Sequence, residues 1–189
     1  MILVRQAYPT LLTLLIIGVV ALAPGCLGTT PADDYPAWNL TLAGDREQVL
    51  THPELRALPA AEGYGYSVST VGIKYGPNRY RGVLLADLIE MAGGADTDDL
   101  IYISAEDGYL WVLDTDQVNG EGFFTFNENL KEVTSPPLRV ILAYEQDGKP
   151  LPGEDGGPLR LVIITENPDI ITEGSSWVKW VDRIEVHKK

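Results

Sequence analysis

The chain has 189 residues, with 27 acidic against 14 basic side chains and a formal net charge of −13 at neutral pH. A protein this acidic offers no basic stripe that could neutralise phosphates, which excludes nucleic-acid binding, and the charge also argues against an anionic lipid surface as a direct partner. Cys26 is the only cysteine, so no disulfide can form within the chain and packing must stabilise the fold.

The first 25 residues have the pattern of a targeting segment. Arg5 is the only charged side chain among them, and residues 11–23 are apolar apart from Thr13 and Gly18. Such a run is typical of a secretory leader, whose apolar core spans about 7–15 residues, and it is short for a membrane span of about 20. A lone arginine also means that the twin-arginine export signal is absent.

The leader ends at Cys26. The sequence Ala-Pro-Gly-Cys at residues 23–26 resembles a lipoprotein processing site, at which the cysteine is lipidated and becomes N-terminal. We therefore expect a lipid anchor at Cys26 that holds the protein on the extracytoplasmic face of the cell membrane. An uncleaved anchor and simple secretion are the alternatives. Residues 26–36, which are mostly polar and contain two prolines, are the expected linker to a domain at residues 37–189.

Alternating or β-branched apolar residues predict strands throughout this domain. The predicted strands are residues 38–42, 64–73, 100–104, 109–113, 138–144, 159–165 and 177–187. Glycine-containing turns at residues 106–108 and 147–148 predict two hairpins. Residues 76–78, which read Gly-Pro-Asn, predict a further turn.

Two short helices are predicted between the strands. Thr51 and Glu54 have the spacing of a capping box, which predicts a helix that Pro59 ends. Residues 84–92 carry an apolar face, and Gly93 follows as a helix stop signal. Because strands outnumber helices, the expected class is mixed α+β with a mostly β core.

Five segments, taken in chain order, form a more specific pattern than any single element. They are YRGVLLADLI at residues 80–89, EDGY at 106–109, LAYEQDGKPL at 142–151, GGPLRLV at 156–162 and WVKWVDRIEV at 177–186. This ordered set resembles the oxidoreductase molybdopterin-binding domain family, which has the sulfite-oxidase-like fold. The resemblance covers residues 38–186 and implies an α+β domain built around β-sheets.

The resemblance also implies a cofactor. In active members of the family a pterin dithiolene holds molybdenum, and a protein cysteine before the Gly-Val-Leu-Leu helix is a further metal ligand. The comparable position in this chain is Thr70, or Ser69, and neither is a cysteine. A neutral hydroxyl is a far poorer ligand for a transition metal than a soft thiolate. We therefore assign no metal-binding side chain and no catalytic residue from the sequence.

Five residues are the candidates for cofactor binding. The resemblance places Arg160 near the anionic cofactor or substrate, and it places Lys179, with Ser176 beside it, against the pterin phosphate. Thr70 stands at the metal-ligand position, and Tyr109 is expected to point its phenol into the pocket. The alternatives are a structural ion pair for Arg160, an outward-facing strand position for Lys179 and a simple turn residue for Tyr109.

Two functions are consistent with these residues. The first is a membrane-tethered, extracytoplasmic oxidoreductase that uses molybdopterin, acts on a small oxyanion or oxide and exchanges electrons with a membrane partner. The second is a cofactor-free binding or interaction lipoprotein that kept the scaffold and lost the molybdenum site. The family resemblance favours the first function, whereas the missing cysteine and the missing twin-arginine signal favour the second.

Overall fold

The computed structural model describes residues 35–189, and this part of the chain contains twelve strands, three short helices and two 3₁₀ turns. The strands are β1 (Asn39–Ala43), β2 (Gln48–Thr51), β3 (Ala61–Val68), β4 (Lys74–Leu84), β5 (Leu100–Ala105), β6 (Leu110–Leu113), β7 (Thr125–Phe126), β8 (Arg139–Gln146), β9 (Lys149–Pro150), β10 (Arg160–Ile164), β11 (Ile171–Glu173) and β12 (Val181–His187). The helices are α1 (His52–Arg56), α2 (Leu85–Ala92) and α3 (Thr115–Val118), and the 3₁₀ turns are Gly153–Asp155 and Gly174–Ser176. The predicted α+β class with a mostly β core is confirmed, while the leader and Cys26 lie outside the described residues.

The strands form two sheets. The five-stranded sheet has the order β2-β1-β12-β5-β6, in which β1 is parallel to β12 and the other pairs are antiparallel. The seven-stranded sheet runs β10-β8-β4-β3-β11-β7, and β9 pairs with β8. Tyr64 of β3 and Thr165, directly after β10, exchange two backbone hydrogen bonds of 2.8 and 2.9 Å. Strands β3, β4, β8 and β10 therefore close on themselves as a small barrel.

Helix α2 fills the space between the two sheets. It contacts β1 and β12 of one sheet and β4 and β8 of the other. Its apolar face of Leu85, Leu88 and Ile89 is at most 3% exposed, and Gly93 ends the helix at a φ of 117°, as the sequence predicts. Within residues 35–189, no helix combines the length and the apolarity needed to cross a membrane.

The turn between β3 and β4 lies earlier than the sequence predicts. It is closed by Ser69, whose carbonyl accepts from the Gly72 N–H at 2.9 Å and whose hydroxyl accepts from the Ile73 N–H at 3.0 Å. The predicted turn at residues 76–78 is wrong, because β4 continues through them and Asn78 pairs with β3. Pairing between the two strands overrides the local turn preference of Gly-Pro-Asn.

The last strand begins four residues later than predicted, at Val181. Before it, the chain crosses from the seven-stranded sheet to the five-stranded one. The Val178 carbonyl accepts from Leu161 of β10 at 2.8 Å, and the Trp180 N–H donates to the Gly156 carbonyl at 2.9 Å. This crossing places residue 179 against the loop before β10, so the lysine does not lie on a strand face.

The alternating direction of the barrel strands gathers their ends at one place. Because β3, β4, β8 and β10 are antiparallel in that order, the end of β3 lies beside the start of β4, the end of β8 and the start of β10. Ser67, Tyr75, Gln146 and Arg160 stand at these four ends. Residues far apart in the chain thus meet at one end of the barrel.

Replacing Gly82 of β4 by alanine tests this close packing. A Cβ at Gly82 would overlap the carbonyl oxygen of Leu142 and approach the Ala143 Cα to 2.6 Å on the neighbouring strand. We expect Gly82→Ala to lower the free energy of unfolding by about 1–3 kcal/mol, the usual cost of overpacking, in urea denaturation. Gly153→Ala is the control, because no atom lies within 4 Å of a Cβ there. Equal stability of the two variants would contradict the observed pairing of β4 with β8.

Candidate functional site

The gathered strand ends surround a cavity of about 590 Å³. This volume lies within the range of roughly 300–1,000 Å³ that is usual for small-molecule and cofactor sites. The turn after β3, the loop before β10 and the crossing segment before β12 complete its wall. Thr70, Tyr109, Arg160 and Lys179, four of the five predicted residues, line this one cavity.

Arg160 is the buried cation of the site. Its side chain is 8% exposed, its Nη1 donates to the Asp155 carbonyl at 2.9 Å, and its guanidinium lies 5.1 Å from the Trp177 ring centroid. Burial lowers the pKa of Arg160 from its ordinary value. The structural ion pair that the sequence left open is absent from residues 35–189, since no carboxylate oxygen lies within ion-pair distance. The positive charge therefore faces the cavity near the Asp155 side chain but without an ion pair in the described part of the chain.

Lys179 adds a second positive charge to the same wall. Its Nζ donates to the Glu154 carbonyl at 3.1 Å. Burial lowers the pKa of Lys179, and the charge of Arg160 lowers it further, which shows that the two cations repel each other. Gly156, at a φ of 95°, makes room for the lysine, because a Cβ there would overlap its side chain. The alternative of a lysine facing outward from a strand is wrong.

The remaining predicted residues differ in position. Tyr109 lies at the rim, where its hydroxyl donates to the Ser175 carbonyl at 2.9 Å and its side chain is 43% exposed. Ser176 does not line the cavity, since it is buried and its hydroxyl donates to the Glu173 carbonyl at 3.1 Å. Ser175 lines the cavity in its place. Successive side chains of a 3₁₀ turn point about 120° apart, so only one of two adjacent serines can face the cavity.

Two further residues of the wall were not predicted. Ser67 Oγ and Gln146 Oε1 are buried without a hydrogen-bond partner in the described part of the chain, as is the Nε of Arg160. Gln146 Nε2 faces the Asp155 carboxylate at 3.5 Å, and a carboxylate only accepts, so the amide oxygen is directed elsewhere. Buried polar atoms in proteins are rarely left unpaired. This wall therefore offers an unused donor at Arg160 Nε, an unused acceptor at Gln146 Oε1 and a Ser67 hydroxyl that can donate or accept. The only sequence signal was the position of Gln146 next to a hairpin turn.

Thr70 is the better of the two candidates for the metal-ligand position. The hydroxyl of Ser69 is occupied by its own turn, whereas the side chain of Thr70 is exposed and lines the cavity. Residues 35–189 contain no cysteine, and no group of three His, Cys, Asp or Glu side chains in this part could hold a metal ion. The wall thus fits the anionic and hydrogen-bonding parts of a pterin cofactor but supplies no thiolate for its metal.

Comparison with known proteins supports the sulfite-oxidase-like fold. Residues 27–189 match the family described as oxidoreductase molybdopterin binding domain. Sulfite oxidase from Arabidopsis thaliana is 28% identical over 155 residues, which cover 80% of this chain and 36% of that protein. Nitrate reductase [NADH] 1 from Phaseolus vulgaris is 31% identical over 160 residues, covering 82% of this chain and 15% of that protein.

A solved structure shares the fold. Sulfane dehydrogenase SoxCD from Paracoccus pantotrophus superposes with a TM-score of 0.61 at 21% identity, over 80% of this chain and 38% of that chain. The chain spans about a third or less of the length of the sulfite oxidases it matches. The family match, in contrast, extends over most of the present sequence. The chain belongs to the oxidoreductase molybdopterin binding domain family.

Proposed function

We propose that the cavity binds a molybdopterin-type cofactor and that Arg160 and Lys179 hold its phosphate. The observation that carries this proposal is the pair of cations in one cavity wall, neither of which forms an ion pair with a carboxylate within residues 35–189. Burial, and then the charge of Arg160, lower the pKa of Lys179, and an anion bound between the two cations would offset their mutual repulsion. The family to which the chain belongs supports the same ligand.

Arg160, Lys179 and Gln146 each make a different kind of contact with the proposed cofactor. The planar guanidinium of Arg160 suits two phosphate oxygens, and its unused Nε is one of the available donors. Lys179 contributes a point charge, and Gln146 Oε1 can accept a hydrogen bond from a ring N–H. Bound together with molybdenum, the cofactor supplies exchange of an oxygen atom and two electrons with a small oxide or oxyanion.

A second candidate function is a cofactor-free binding protein on the same scaffold. The observation that favours it is the hydroxyl of Thr70 at the position where the family resemblance expects a thiolate. The cavity and its cations are retained in this case, but the ligand is another small anion. Fold alone does not decide between the two functions, because chemistry resides in the site.

We extend the proposal to location, on the basis of the leader. A lipidated Cys26 would tether the domain to the extracytoplasmic face of the cell membrane. Residues 27–34 then separate the anchor from Tyr35, the first described residue, and about 3.5 Å per residue limits this separation to roughly 30 Å. A redox partner in or on the same membrane would therefore be within reach.

Metal and pterin analysis of the protein purified from its native host separates the two functions. We expect about one pterin per chain, measured by fluorescence after oxidation, with molybdenum determined by mass spectrometry. Arg160→Gln and Lys179→Gln should each lower pterin occupancy at least tenfold, whereas Lys131→Gln, an exposed lysine outside the cavity, should not. Repeated preparations without pterin and molybdenum would leave the cofactor-free function standing.

The pKa of Lys179 depends in part on the charge of Arg160. Arg160→Gln removes a positive charge beside Lys179, so we expect the pKa of Lys179 to rise in an NMR titration of its side-chain carbons. Saturating inorganic phosphate should raise the same pKa in the unaltered protein, and Lys131→Gln should leave it unchanged. A Lys179 pKa that responds to neither change would show that the two cations do not share a binding site.

Substitution of Cys26 tests the anchor. We expect Cys26→Ser to abolish incorporation of labelled fatty acid and to release the protein from the membrane fraction, because the serine cannot form the thioether to the lipid. Thr29→Ala, three residues further along, is the control. A Cys26→Ser protein that remains membrane-bound would indicate an uncleaved leader, and a soluble unaltered protein would indicate simple secretion.

A further inference from the structure

A second cavity of about 320 Å³ adjoins the first. The two cavities share four wall residues, which are Ser69, Thr70, Gly174 and Ser175. Because Thr70 belongs to both walls, a molecule in the second cavity would touch the position at which the metal end of a bound cofactor is expected. The second cavity is therefore placed to hold a reacting molecule beside the cofactor.

The wall of the second cavity carries no positive charge. Its other residues are Val68, Gly72, Phe126, Leu130 and Glu173. They are apolar apart from the glycine and Glu173, whose exposed carboxylate accepts no hydrogen bond and forms no ion pair within residues 35–189. No lysine, arginine or histidine belongs to this wall. The first cavity differs because its wall contains two cations, Arg160 and Lys179. Its wall also contains the acidic residues Asp107, Glu154 and Asp155.

The elements that form this wall are tied together. Strand β7 pairs with β11 and brings Phe126 opposite Ile171. Lys74, at the start of β4, donates to the Glu128 carbonyl at 2.6 Å and lies 3.4 Å from the Glu128 carboxylate. This bond joins the loop that carries Leu130 to the β3–β4 turn. It also pairs the charge of Lys74 with Glu128, and Lys74 forms no ion pair with Glu173 in the described part of the chain.

We propose that the second cavity binds an organic cation with an apolar body, such as a protonated amine, beside Glu173. The carboxylate attracts the positive charge, and Phe126 and Leu130 contact the apolar body. An inorganic oxyanion would meet an unpaired carboxylate in a protein of net charge −13, and both repel it. The proposal rests on the proposed cofactor function and narrows its substrate from an oxyanion to an organic molecule that carries a positive charge.

Three probes that share one phenyl ring and differ in charge test the proposal. Benzylamine, benzyl alcohol and benzoate are titrated into the full-length protein in detergent, with the methyl groups of leucine and valine labelled for NMR. We expect benzylamine to shift the methyl signals of Leu130 and Val68 with a Kd at least tenfold below that of benzoate. Benzyl alcohol should bind with an intermediate Kd, because it keeps the apolar contact and lacks the charge.

Two variants separate the charge from the apolar contact. Glu173→Gln should bring the Kd values of benzylamine and benzoate within about twofold of each other, leaving benzyl alcohol unchanged. Glu121→Gln, an exposed glutamate in neither wall, is the matched control and should behave as the unaltered protein. Signals of residues elsewhere in the sheets show whether each variant is folded.

Either of two results would overturn the proposal. One is equal binding of benzoate and benzylamine to the unaltered protein, and the other is the absence of any shift at Leu130 and Val68 with all three probes. The titration needs no cofactor in the protein. Loss of pterin from native preparations would therefore count against the proposed function alone, and failure of the benzylamine titration would count against the second cavity alone.

Discussion

Two backbone hydrogen bonds between Tyr64 and Thr165 join the first strand of the small barrel to its last. The four antiparallel strands of this closed barrel, β3, β4, β8 and β10, all contribute residues to the cavity at their common end. Gly82 permits the close approach of β4 to β8. The site thus depends on backbone pairing over long sequence separations more than on any single side chain.

The cavity keeps two positive charges in a strongly acidic protein. Burying a charge without a partner is costly, and the backbone carbonyls of Asp155 and Glu154 offset this cost only in part. An ordinary structural role for Arg160 would place it in an ion pair with one of the many carboxylates, and none forms within residues 35–189. Two cations without an ion pair are expected in a cavity that binds a negatively charged ligand.

The position of a single thiol links the location of the protein to its chemistry. Cys26 is the only cysteine and stands at the end of the predicted leader, and Thr70 lines the cavity at the position where the family resemblance expects a thiolate ligand. The cavity wall contains Arg160 and Lys179 but no thiolate, so the proposed binding of a cofactor phosphate does not depend on ligation of a metal by a cysteine. The two are therefore tested separately, by pterin content and by molybdenum content.

Local patterns in the sequence correctly predicted the elements whose signals lie within a few consecutive residues. These include the capping box at Thr51, the apolar face of α2 with Gly93 behind it, and the hairpin of β5 and β6. The ordered motifs also indicated the family and brought Arg160 and Lys179 forward as candidates. The tertiary structure alone decided that β4 runs through residues 76–78, that Ser175 rather than Ser176 faces the cavity, and that Gln146 belongs to the wall. Such outcomes depend on strand pairing and side-chain direction across distant segments. These are set by packing of the whole chain, and the only local signal in the sequence was the position of Gln146 next to a hairpin turn.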